Sequence, residues 1–289
     1  MSQIGKLRNR SGFNAIELVV VILIVFLLLG LILVILPRPR GPDRFMIFNN
    51  LKQITLACHS ANDMFKGIPP AFDQYGDMPF AASVHVHLLP YIEQNNLYKM
   101  YLAQEGKGDW DKHVVFTFIT EIDFTLTKDG GGIQNFAANL RVFSDKGMAT
   151  KFDANMPALA RIEPGKANIP KSFPDGTSNT ILFSTKYANC KEGGSRFAAD
   201  PSSPFAAFFG QNAAKVKAHP SDPTATFQDY PTQDECLTTP LMAQSVTARW
   251  IILGLADGSV RSILPTISPL TWNLALQPND GLELGAEWD

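Results

Sequence analysis

The chain has 289 residues, with 25 Lys and Arg against 27 Asp and Glu, a formal charge of −2 at pH 7. This balance, with no Lys/Arg-rich run interleaved with aromatics, excludes the electrostatic footprint of a nucleic-acid partner. An aromatic content of 10%, most of it Phe, fits a folded body with a real core rather than a disordered chain.

Residues 1–12 carry Lys6, Arg8 and Arg10 and no acid, and from Leu18 to Leu36 there is no charge at all. A run of about 19 residues makes a helix of roughly 28 Å, close to one hydrocarbon core. A cleaved secretory signal has a shorter apolar region, about 7–15 residues, and small residues at the cut. Here Pro37-Arg38-Pro39-Arg40-Gly41-Pro42 follows instead. Residues 13–36 are therefore expected to stay attached as a transmembrane helix, single-pass, with 37–44 as a Pro-rich linker. Pro37, Pro39 and Pro42 cannot sit inside a continuous helix. Basic residues flank both ends of the span, with Arg38, Arg40 and Arg44 beyond it, so the positive-inside rule is close to a tie. Glu17 stands at the mouth of the run. A carboxylate at the centre of a spanning helix costs about 2.5–3.5 kcal/mol, and less at the end, where it reaches the headgroups.

Phe48, Leu51, Thr55, Cys58, Ala61 and Phe65 recur at helical spacing, flanked by Ile54 and Leu56, with Asn49, Asn50, Lys52, Gln53 and Asn62 mostly off the stripe. Gly67 and Pro69-Pro70 predict the stop. His85 and His87, two apart, would face one way on a strand. No Cys, Asp or Glu nearby completes a metal set, so no metal is expected there. The alternation of Phe116, Phe118, Ile122, Phe124 and Leu126 against Thr117, Glu121, Asp123 and Thr125 predicts a half-buried strand. Lys128-Asp129-Gly130-Gly131-Gly132 is a turn without the Lys-Ser/Thr of a phosphate-binding loop. Asp175-Gly176 predicts a polar turn entering a strand at Ile181 to Phe183. Asp257-Gly258 predicts a hairpin within Trp250 to Ile263, its turn needing positive φ. Residues 190–240, rich in Pro, Ala, Ser, Asp and Gln, predict long surface loops. Ser268-Pro269 caps a last helix, Leu270 to Leu276. The acidic tail from Asn279 to Asp289 is expected to be exposed.

Three cysteines, Cys58, Cys190 and Cys236, are too few and too scattered for a zinc site. In an extracytoplasmic body one disulfide can form, with Cys190 and Cys236 the candidate pair; three free buried thiols are the open alternative. There is no Gly-x-Ser-x-Gly, no His-Glu-x-x-His and no dinucleotide fingerprint, so neither catalysis nor a cofactor is expected. Asp175 and Asp257 are a carboxylate pair that folding could bring together, although acids followed by Gly are usually turns.

Arg10-Ser11-Gly12-Phe13-Asn14-Ala15-Ile16-Glu17 resembles the recognition site of type IV prepilins and type II secretion pseudopilins. That resemblance implies cleavage between Gly12 and Phe13 by a prepilin peptidase, methylation of the new amine, and a leader over 1–12. It places the N-terminus inside and the body outside the inner, cytoplasmic membrane. It also implies that the Phe13 ammonium can neutralise Glu17 in low dielectric, within a subunit or between neighbouring pseudopilin-like subunits during assembly.

Five further blocks resemble, in order, a large bacterial family of unknown function that carries the same N-terminal segment and a general solute-binding label. They are Asn49-Asn50-Leu51-Lys52-Gln53-Ile54, Ile68-Pro69-Pro70, Leu88-Leu89-Pro90-Tyr91-Ile92-Glu93-Gln94, Asp175-Gly176-Thr177-Ser178-Asn179-Thr180-Ile181 and Ala256-Asp257-Gly258-Ser259-Val260. The family's His ten residues before the last Asp-Gly is Thr247 here. Its Cys before Asn-Asn-Leu-Lys-Gln is missing, with Ile47 or Phe48 in its place, and its Cys-Pro-Ser-Asp block is reduced to Phe143-Ser144-Asp145. The resulting expectation is an α+β, pilin-like body over 45–289: an amphipathic helix packed on an antiparallel β-sheet, with long loops. Its role is structural, in a type II secretion or type IV pilus-like system; the alternative is a tethered module binding a solute, glycan or peptide.

Overall fold

The computed structural model describes residues 14–35, 44–126, 131–149, 162–191, 193–199, 206–210, 226–238 and 241–288. The chain divides into two units, Met1–Pro42 and Asp43–Asp289. Gly12, Phe13, Pro37, Pro39 and Pro42 lie outside the described residues.

The first unit contains α1, Ala15–Ile35, of 21 residues. Its start is capped locally. Leu18 N–H donates to Asn14 O, and Asn14 N–H donates to Glu17 Oε2, both at 3.1 Å. Glu17 thus forms the acidic arm of a capping box. The large apolar side chains from Ile16 to Leu28, where side-chain description of α1 ends, are all exposed. Among the described residues no helix is long and apolar enough to cross a membrane.

The second unit begins with α2, Arg44–Phe65, which buries Ile47, Leu51, Ile54, Thr55, Ala57, Cys58, Ala61 and Asn62. The predicted stripe is turned by about one residue at each end: Ile47 goes inside where Phe48 was expected, and Phe65 is exposed. Asn62 is inside because its amide closes a two-bond clamp on Ile169, accepting from its N–H at 2.9 Å and donating to its O at 3.0 Å. Lys66, at φ 61, makes the left-handed stop that the sequence assigned to Gly67.

Strands β1 (Phe72–Tyr75) and β2 (Met78–Ser83) form a hairpin. Ser83 then caps α3 (Val84–Leu88), accepting from Val86 N–H. The strand expected to carry His85 and His87 is therefore a helix, where positions two apart point to different sides. A 3-10 turn, Leu89–Ile92, leads to α4 (Asn95–Ala103). The strand expected over Phe116 to Leu126 is absent. Phe116–Phe118 is a 3-10 turn, and backbone turns follow, with Asp123 N–H on Thr120 O and Leu126 N–H on Asp123 O. Thr120, Asp123 and Thr125 are buried, while Phe116 and Phe124 are 77% and 51% exposed. Buried hydrogen-bond partners for Asp123 outweigh the apolar pattern.

Beyond β3 (Phe136–Asn139) come α5 (Leu140–Phe143) and the paired strands β4 (Ser144–Ala149) and β5 (Ile162–Pro164). Then follow β6 (Ile181–Thr185), the short pair β7 (Asn189–Cys190) and β8 (Gly193–Gly194), β9 (Phe208–Phe209) and α6 (Gln233–Thr238). The described part of 190–240 is therefore not loop alone. Strands β10 (Ile251–Leu255) and β11 (Val260–Ile263) form the Asp257-Gly258 hairpin, and α7 (Pro269–Leu276) is capped by the Ser268 hydroxyl on Thr271 N–H. The tail turns back at Ala286–Trp288. Trp288 is buried, contrary to a fully exposed tail, and Arg261 lies over its ring at 5.1 Å.

The main sheet runs β11-β10-β6-β3-β9, antiparallel except for the parallel β3–β9 pair. Alternation sends Phe136, Ala138, Leu182 and Ile252 into the cluster that includes the α2 stripe. Ala137, Ile181, Ile251, Leu253 and Leu255 join Trp272, Ala275 and Trp288 on the other face. Both faces are covered, so β3, β6 and β10 read as continuous apolar or small-residue runs. Helix and sheet meet closely at Gly254, where a Cβ would stand 2.5 Å from Thr55 Cγ2 and 3.1 Å from Leu51 Cγ. Gly254→Val should therefore destabilise the body by about 1–3 kcal/mol, the overpacking range. A Tm equal to wild type, followed by tryptophan fluorescence, would contradict this contact.

Candidate functional site

The helix α2 has two working sides. Its outer side carries Gln53, Leu56 and Ser60 along one wall of a surface groove of about 470 Å³. The opposite wall is the turn Tyr91, Ile92, Glu93 and Gln94, and Thr117 closes one end. The turn is set by its backbone. Pro90 supplies a fixed φ inside the 3-10 turn, Gln94 N–H donates to Leu89 O at 2.9 Å, and Glu93 adopts the left-handed φ of 63. The Tyr91 hydroxyl donates to Met64 Sδ at 3.5 Å, and burial, then Tyr98 and Asp77, raise its pKa. It is a neutral donor at physiological pH. Among the described residues, amides, hydroxyls and the Glu93 carboxylate line the groove together with Leu56, Ala57, Ile92 and the Tyr91 ring, and none of them is Lys, Arg or His. Such a lining suits an uncharged polar ligand with one apolar face and repels anions.

The two Asp-Gly motifs are built as turns. Asp175 accepts from Asp280 N–H at 2.7 Å and Gly281 N–H at 3.0 Å, pinning the C-terminal tail, and Gly176 has φ 106. Asp257 accepts from Ser259 N–H at 2.8 Å, and Gly258 has φ 84. Ala256 N–H donates to Thr180 O at 2.9 Å, so the sheet joins the two motifs' strands, while the Asp175 carboxylate holds the C-terminal tail and the Asp257 carboxylate its own turn. Thr247 Oγ1 donates to Trp250 O at 2.8 Å. Cys190 and Cys236 are bonded, with Cα atoms 5.8 Å apart, and Cys58 is buried and free, its thiol pKa pushed up by burial.

His85 Nε2 donates to Phe136 O and His87 Nε2 to Asp73 O, each at 2.8 Å, so the two rings serve different segments. Among the described residues no group of three or more His, Cys, Asp or Glu is arranged to hold a metal ion.

A buried polar knot lies behind these features. Asp123 accepts from Thr125 N–H (2.9 Å), Thr125 Oγ1 (2.8 Å), Asn135 Nδ2 (2.6 Å) and Ala188 N–H (2.7 Å). Burial raises its pKa, and those four donors oppose the rise. Lys186, also buried, donates to Ala206 O and Phe208 O and holds the edge strand β9; burial lowers its pKa to about 7. Sequence reading missed this knot, although Asp123-x-Thr125 has the spacing of a side chain bonding its own backbone two residues on. The groove's Leu89-Pro90-Tyr91-Ile92-Glu93-Gln94 wall was visible only as a family block.

A family model named SBP_bac_10 and described as "Protein of unknown function (DUF1559)" matches residues 48–106. The match runs from α2 past the end of α4, and every groove residue except Thr117 lies within it. This segment is thus similar to a family of unknown function with a solute-binding-like label. No curated protein and no solved structure matches the chain.

Burial lowers both His85 and His87 from 6.5 to about 4, despite the carbonyls that favour their charged forms. Below pH 6.5 the unfolded chain takes up protons that the folded body does not. Stability is then fully present above pH 6.5 and lost as pH falls toward 4, by at most about 3 kcal/mol per ring. Tm measured from pH 7 to 4 should fall accordingly, and His87→Gln should flatten the slope.

Proposed function

We propose that this protein is a membrane-anchored, extracytoplasmic subunit of a pilin-like assembly, matured by prepilin peptidase. The observation that carries the reading is the start of α1. Its Glu17 carboxylate accepts from Asn14 N–H, one residue from the Phe13 nitrogen that cleavage would free as an ammonium. Glu17 is the only charged residue of α1, and in this reading the uncharged run from Leu18 to Leu36 is the membrane anchor. The Cys190–Cys236 bond fits an oxidising compartment outside the cytoplasm. In this reading α1 packs among neighbouring subunits in the inner membrane, and the Phe13–Glu17 charge pair sets their axial register.

The test is the mass of the native N-terminal peptide. A methylated Phe13 start is expected, and a chain retaining Met1 through Gly12 is expected in cells without the peptidase. Equal masses in both strains would sink the reading. Glu17→Ala should abolish co-purification with neighbouring subunits while leaving the Tm of the body unchanged.

The groove favours a second reading, a tethered binding module. All but one of its lining residues fall in the matched segment, and its lining suits an uncharged polar solute. In that case Glu17→Ala changes nothing, and Gln53→Ala with Gln94→Ala removes ligand retention.

A further inference from the structure

The exposed apolar side chains of the body gather at one end. Phe45, in the first turn of α2, is 85% exposed, more than any other large apolar side chain among the described residues, and Met46 beside it is 41% exposed. A lone surface Phe or Leu needs no explanation, but a cluster does. Hydrogen bonds show which residues join it. Arg44 Nη2 donates to Ser262 Oγ at 2.9 Å, so the start of α2 stands beside the C-terminal end of β11. Two residues on, Leu264 is 57% exposed. Its carbonyl accepts from Ile267 N–H at 3.2 Å, and this turn leads to Leu270, 68% exposed, at the start of α7. On the other side of α2, Asn50, one turn beyond Met46, donates to Phe116 O at 3.2 Å and Ile119 O at 3.0 Å, and Phe116 is 77% exposed.

The same end is basic. Arg44 lies over the Trp250 ring at 4.7 Å, and Arg249, next to Trp250 in the chain, is exposed. Trp250 leads into β10, whose Ile251 pairs with Ile263 of β11, so Arg249 and Leu264 stand at one end of the sheet. Glu287, near the entrance of α7, accepts from Thr271 Oγ1 at 2.7 Å. In the sequence, Arg38 and Arg40 come just before α2, and Asp43 is the only acid between Glu17 and Asp63.

The chain itself limits what can cover this surface. In the membrane-anchored reading, on which this inference rests, the uncharged run ends at Leu36, and the seven residues from Pro37 to Asp43 reach at most about 25 Å. An apolar, basic surface tied that close to a bilayer suits its interface. Rings and Leu side chains enter among the upper acyl chains, and guanidiniums meet lipid phosphates. A soluble polyanion would satisfy the arginines but leave the apolar side chains in water.

We propose that the end of the body exposing Phe45, Leu264 and Leu270, with Arg249, docks on the anionic surface of the bilayer that holds the anchor.

The test uses the full chain in lipid nanodiscs of phosphatidylglycerol and phosphatidylcholine. An environment-sensitive fluorophore is attached at Leu270→Cys or, as a control of matched exposure, at Met64→Cys, which is 65% exposed and about 28 Å along α2 from Phe45. Cys58 is buried and Cys190 and Cys236 are bonded, so the added thiol takes the label. Spin-labelled lipid should quench the Leu270→Cys label and leave the Met64→Cys label unchanged. Phe45→Ser with Leu264→Ser, both at exposed positions, should remove most of the quenching at an unchanged Tm, and Arg249→Glu should reduce it. Equal quenching at the two sites, or quenching that survives Phe45→Ser with Leu264→Ser, overturns the proposal. A blue shift at Leu270→Cys without quenching by lipid assigns the surface to a second copy of the chain and overturns it too. A chain that does not enter the discs sinks the anchored reading and the docking with it, whereas a chain that enters without quenching at Leu270→Cys sinks the docking alone.

Discussion

The body depends on how closely α2 can lie on the sheet. At Gly254 the strand offers no side chain, and Thr55 and Leu51 occupy the space a Cβ would fill. This contact fixes the rotation of α2 about its axis. Ile47, Leu51, Ile54 and Cys58 go inward, and Gln53, Leu56 and Ser60 are left facing the Tyr91–Gln94 turn. One packing contact therefore determines both the core and the groove. The Asn62–Ile169 clamp near the helix end holds the same rotation from a distant part of the chain.

A second constraint acts from inside the polar knot. Asp123 draws donors from its own loop, from Asn135 at the entry to β3 and from Ala188 beyond β6. A carboxylate so enclosed must keep its hydrogen bonds, because each unmet one inside the body costs a full desolvation. With Asp123 and Thr125 drawn inward, the neighbour Phe124 points outward onto Tyr230. The exposed aromatic face is the outward consequence of the buried acid.

The apolar helix and the grooved body fall on different units. The first unit carries an apolar helix whose single acid caps its own start. The second carries the sheet, the disulfide, the groove and the aromatic face.

The sequence was sufficient wherever a local rule decides. Asp175-Gly176 and Asp257-Gly258 are turns because glycine admits their positive φ, and Ser268-Pro269 starts α7 because a hydroxyl and a preset φ suit a helix entrance. The run from Leu18 is a helix as expected from its uncharged length, and the run from Phe48 as expected from its periodicity, to within about a turn at the ends. Tertiary structure decided the rest. The alternation at Phe116 to Leu126 became turns because Asp123 finds donors at residues remote in sequence. His85 and His87 went to separate carbonyls because Ser83 starts a helix there, and Trp288 was buried because Arg261 and the sheet's second face receive it. Local pattern shows which side chains share a face; only distant partners determine which face goes inside.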